Sequence, residues 1–158
     1  MTDSSQVAKN MRDERHDRAI ERMSAFAKRA GHEAACLRLQ AFMIAYLTPL
    51  KPGLPRDIEA ALGVAEQFQD DLRTSEAISK ARDTCWQHLE AGDVMYDLAN
   101  RENCAVRAVL STLARGPLRA DLNETLYWFL SFSDHVEDQS GRLDNMIARY
   151  FDADVVSP

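Results

Sequence analysis

Leu122-Asn-Glu-Thr-Leu-Tyr-Trp-Phe-Leu-Ser-Phe132 carries the clearest structural signal in this chain. Leu122, Leu126, Phe129 and Leu130 fall on one stripe at helical spacing, while Tyr127, Trp128 and Phe132 lie outside the centre of that stripe. A helix that is apolar nearly all round must be covered on most of its sides. In a small protein this predicts a central core helix or a helix that meets a partner. Asp121 with Glu124 three residues on suits a capping box at its start.

Outward from this stretch the period stays helical, and no segment alternates long enough to argue a strand. Towards the C-terminus, Ser133 to Gly141 is polar and acidic. Leu143, Met146, Ile147, Tyr150 and Phe151 then follow the i, i+3, i+4, i+7, i+8 pattern of a last amphipathic helix. Towards the N-terminus, Val94, Leu98, Ala105, Val109 and Leu113 lead to a stop at Gly116-Pro117. Gly92-Asp93 either ends the preceding helix, with its stripe of Ile78, Ala81, Cys85 and Leu89, or lies inside a longer one. Before a break near Thr74-Ser75, Ile58, Leu62, Ala65, Phe68 and Leu72 form another stripe. Pro55 fits that helix's first turn, where its missing N–H costs nothing.

Thr48 to Pro55 holds three prolines and a glycine and is the one linker-like segment. Glu33 to Leu47 is apolar on most faces and is a second candidate for a buried element. Val7 to Ala30 carries a helical pattern whose middle, Arg12 to Arg18, is nearly all charged. Residues 1–18 are therefore either a solvated helical extension or a frayed tail. Lys28, Arg29 and Gly31 make a good helix stop, with cations at the negative dipole end and glycine at the cap. The expected architecture is all-α. It is a single domain over residues 1–158, a bundle of six to seven helices centred on Glu33–Leu47 and Asp121–Phe132.

At 158 residues the chain can bury one sizeable core. Its net charge of -6 argues against general nucleic-acid binding, and its fifteen arginines and four lysines are scattered. No apolar run approaches the roughly 20 residues of a membrane-spanning helix, and the polar start is unlike a secretory signal. Cys36, Cys85 and Cys104 form an odd, widely spaced set that reads as small buried apolar residues. A cytoplasmic, reducing location is the expectation.

Two short motifs carry chemistry. Glu90, Asp93 and Asp97 share a helical face at i, i+3, i+7, and Glu66 and Asp70 share one at i, i+4. Clustered carboxylates of this kind can hold magnesium against phosphates. Leu89-Glu-Ala-Gly-Asp-Val-Met-Tyr-Asp-Leu98 resembles the second metal motif of the all-α nucleotide pyrophosphohydrolases of the MazG and dimeric dUTPase type. The resemblance implies a magnesium site built from Glu66, Asp70, Glu90, Asp93 and Asp97. Gln69 stands where that family's upstream Glu-x-x-Glu has its second glutamate.

Arg82-Asp-Thr-Cys-Trp-Gln-His88 resembles the ribonuclease motif of HEPN domains, which implies an arginine and a histidine converging on an RNA phosphodiester. Cys85 and His88 are one close pair where zinc wants two. There is no glycine-rich phosphate loop.

The leading expectation is a non-enzymatic protein without a cofactor. It would bind another protein, or itself as a homodimer, as an adaptor, inhibitor, immunity factor or regulator. Tyr127, Trp128 and Phe132 are the candidate contact residues, since tryptophan and tyrosine are enriched in binding hot spots.

Overall fold

Gly31 sets the first corner. Its φ of +96° is one that only glycine adopts without strain, and it lets a single residue separate two helices. Its N–H donates to Ala27 O (2.9 Å) and its carbonyl accepts from Ala35 N (3.0 Å), so it closes one helix and opens the next. The computed structural model describes residues 4–92, 100–114, 121–137 and 139–152.

Among these residues there are seven α-helices and no strand. They are α1 (Ser4–Ala30), α2 (His32–Leu47), α3 (Arg56–Gln67), α4 (Glu76–Gly92), α5 (Arg101–Leu113), α6 (Leu122–Val136) and α7 (Ser140–Ile147). The chain is an all-α bundle, and no helix among the described residues is long and apolar enough to cross a membrane.

The proline-rich segment is more structured than a linker. Thr48–Gly53 winds as a 3-10 helix, with a proline in its first turn and Leu50 buried beneath it. Short 3-10 pieces commonly serve as such connectors. Lys51 pairs with Glu66, which ties the segment to the end of α3. Pro55 sits one residue earlier than expected, at the N-cap of α3. The break near Thr74-Ser75 is present, and Ser75 Oγ accepts from Ile78 N at 3.2 Å as α4 begins.

The core centres on α2, which touches α1, α3, α5, α6 and α7. Phe42 is fully buried amid Tyr46, Phe129, Tyr150 and Phe151, with ring centroids 5.4 to 6.3 Å apart. Offset and edge-on pairs of this kind add about 0.5–1.5 kcal/mol each beyond burial. The second central helix is α5 rather than α6. From Asn103 to Leu113 its buried positions fall on most sides, including Cys104, Val106, Val109 and Thr112. Gln40, itself buried, donates to the Thr112 carbonyl in the last turn of α5 and joins α2 to α5.

On α6, Asp121 caps as expected by accepting from Glu124 N at 3.0 Å. The helix runs one turn past Phe132, to Val136, and Ser133 is fully buried although the sequence around it is polar. α1 lies antiparallel on α6. Ser24 Oγ meets Asn123 at the start of α6, and His16 Nε2 meets Asp134 near its end, at 2.6 Å. No described side chain of α1 before His16 is buried, so the charged N-terminal turns are helical and solvated, with Val7 and Met11 exposed on them.

α7 presents Leu143 and Ile147 to the core, and a π turn over Ala148–Asp152 carries Phe151 in after them. Arg29 and Arg38 donate to the carbonyls of Phe151 and Tyr150 and hold this end against α1 and α2.

Candidate functional site

Among the described residues the core shields nearly every large apolar side chain from water, with few exceptions. Tyr127 (42% exposed) and Trp128 (43%) on α6 and Trp86 (39%) on α4 are among them. Helical spacing explains the α6 pair. With Leu126, Phe129, Leu130 and Ser133 turned inward, positions 127 and 128 must point away from the core. Trp128 stacks on Phe132 one turn on, at 5.8 Å between centroids, and Tyr127 meets Trp128 edge-on at 5.3 Å. The three aromatic rings singled out in the sequence thus form one contiguous array.

Beside that array lies a groove of about 220 Å³. Its floor is α5, through Arg107, Leu110 and Ala114, at the i, i+3, i+7 spacing of one helical stripe. Arg82 and Trp86 of α4 form one wall and Phe132 of α6 the other. The Arg107 guanidinium lies 5.8 Å from the Phe132 ring centroid, within cation–π range. Trp86 and Arg107 were not foreseen as site residues. Each is an ordinary member of its own helix, and only the packing of α4 and α6 on α5 brings them together.

Of the carboxylate set, the described members Glu66, Asp70 and Glu90 are not brought together. α3 and α4 run antiparallel, because Asp57 at the start of α3 meets His88 near the end of α4. Glu66 lies nine residues beyond Asp57 on the same helix, about 14 Å along its axis. Glu66 and Glu90 therefore sit towards opposite ends of the hairpin, and Glu66 is engaged by Lys51. Asp70 is exposed in the turn after α3. Asp93 and Asp97 lie outside the described residues, as do Val94, Leu98 and Gly116-Pro117. Among the described residues no three histidine, cysteine or acidic side chains are placed to hold a metal ion.

Arg82 and His88 face different surroundings. Arg82 lines the aromatic groove, whereas His88 is clamped between two carboxylates. Its Nε2 lies 2.8 Å from Glu102 Oε1 and its Nδ1 3.4 Å from Asp57 Oδ2. Only the imidazolium can donate from both nitrogens at once. Burial of the ring pulls its pKa down, but hydrogen bonds to Glu102 and Asp57, and their charges, outweigh this and raise it above the ordinary histidine value. His88 is thus a clip joining α4 to the N-terminal ends of α3 and α5. One turn back, burial pushes the Cys85 thiol up to about 12, with the Asp57 charge adding to it. A thiol so held is not a nucleophile, and Cys36 and Cys104 are likewise buried and outside any disulfide.

A larger cleft of about 690 Å³ opens where the 3-10 segment, the start of α5 and the end of α6 meet. Pro49, Pro52 and Leu54 face Arg101, Glu102 and Glu137 across it. Among the described residues this lining includes no histidine, cysteine or hydroxyl nucleophile. The aromatic array and its groove are the more distinctive surface. The chain matches no family model, no curated protein and no solved structure in comparisons with each.

Proposed function

We propose that this protein acts by binding another protein through the aromatic face of α6 and the adjoining α4–α5 surface, as an adaptor, inhibitor, immunity factor or regulator. One observation carries the reading. Tyr127, Trp128 and Trp86 stay exposed while every other phenylalanine, tyrosine and tryptophan among the described residues is buried or half-buried. Leaving large apolar side chains partly in water forgoes a share of the roughly 1.5–3 kcal/mol that full burial supplies, a cost a fold recovers when a partner covers them. Aromatic residues beside arginine are the composition of binding hot spots. The net charge of -6 serves solubility and steering. Three buried thiols with no disulfide accord with a reducing, cytoplasmic setting.

Trp128→Ala tests the reading. The variant is expected to keep the wild-type circular dichroism spectrum and unfolding cooperativity, yet to lose partner capture or change oligomeric state by light scattering. A folded variant with unchanged capture and unchanged mass would overturn it.

A further inference from the structure

We infer that the groove between α4 and α6 takes an acidic amphipathic helix from the partner protein. The inference rests on the binding reading above and specifies what is bound. Three observations lead to it. The first is shape. α4 and α6 each pack on α5, and the stripe of Arg107, Leu110 and Ala114 is left as a floor between the walls. Helices pack with axes about 8–10 Å apart, so a channel with a helix as its floor and helices as its walls suits a further helix.

The second is apolar anchorage. Trp86 on one wall and Phe132, extended by the stacked Trp128, on the other offer flat ring surface. Anchors at i, i+3 or i+4, and i+7 of an incoming helix can pack against it.

The third is charge. The whole chain carries -6, yet among the described residues the groove lining includes Arg82 and Arg107 and no carboxylate. Arg82 forms no ion pair among the described residues. A planar guanidinium at the edge of an aromatic wall is suited to bidentate pairing with a carboxylate. The Arg82 guanidinium, so placed within an acidic chain, favours an acidic partner over a second copy of the acidic chain itself.

The test uses the full chain and a displayed library of 16-residue helices. Their apolar positions are fixed at i, i+4, i+7 and i+11, and the remaining positions are randomised among Asp, Glu, Lys, Arg, Ser and Gln. Selected sequences are expected to be rich in Asp and Glu and to lose affinity at least about tenfold against Arg82→Glu. Replacing the responsible acid by lysine in the peptide should restore binding to Arg82→Glu, which misfolding of the variant could not produce.

Selection of basic or charge-neutral helices, or equal binding by Arg82→Glu, would overturn the proposal. Binding that is lost in Trp128→Ala but kept in Arg82→Glu would overturn the groove assignment while leaving the binding face standing. A wild-type dimer that Arg82→Glu dissociates would place a second copy in the groove, also against the proposal. Failure to enrich any helix would overturn it as well, and Trp128→Ala partner capture would then decide the broader reading separately.

Discussion

Replacing His88 by glutamine should weaken the fold at acidic and neutral pH and have progressively less effect as pH rises. The imidazolium ties three helices through Glu102 at 2.8 Å and Asp57 at 3.4 Å. The histidine side chain is 24% exposed, and its partners are 58% and 50% exposed. Exposed ion pairs of this kind contribute about 0.2–1 kcal/mol each, and the longer contact belongs at the lower end, so the clip contributes on the order of 1 kcal/mol in total. For a domain of this size that corresponds to about 2–4 °C in Tm.

The direction follows from the raised pKa. The folded state holds the proton more tightly than the unfolded chain, so the stabilisation is fully present below the unfolded value of about 6.5. It is lost as pH rises through the higher folded value. Thermal unfolding of wild type and His88→Gln, compared at steps from pH 5.5 to 9, isolates this contribution because other titrations largely cancel in the difference. A gap of a few degrees that closes as pH rises is expected. A gap independent of pH, or one that widens towards pH 9, would refute the charged-clip account.

Other consequences are equally direct. Phe42→Ala removes the ring at the centre of the aromatic core and should cost about 3–5 kcal/mol in chemical denaturation. Gly31→Ala meets no atom within 4 Å but must adopt φ +96°, so it should cost about 1–3 kcal/mol through backbone strain alone, read from the same denaturation curves. The three cysteines should resist an aromatic disulfide reagent at pH 8 in the native protein and react together on unfolding, since all are buried and Cys85 is shifted up to about 12.

Much of the helical plan was legible because it depends on local chemistry. Gly31 after Lys28-Arg29, Asp121 before Glu124 and the break at Ser75 all occur as the sequence indicates. What was not legible depends on packing. The polar run after Phe132 reads as a helix end, but α1 supplies His16 to meet Asp134, and the helix continues beneath it.

The aromatic richness of Leu122–Phe132 suggests a central helix, yet α5 takes that place with small residues such as Cys104, Ala105 and Ala108, which allow close approach and give a weak hydropathy signal. The exposure of Tyr127 and Trp128 was readable from their angle to the Leu122–Leu126–Leu130 stripe. The groove beside them was not, because Arg82, Trp86, Arg107 and Phe132 come from three helices. Short motifs were the least informative. Arg82 and His88 share a helix yet face different surroundings, and spacing along a chain cannot report what the neighbouring helices bring.

The most direct test of the binding account is site-specific photo-crosslinking in the native host cell, with a photoreactive amino acid at position 128 and, as control, at the exposed Glu59 of α3. The account predicts one discrete higher-mass adduct from position 128, none from position 59, and loss of that adduct when Trp86 is also changed to alanine. No adduct at 128, or the same adducts from both positions, would contradict it.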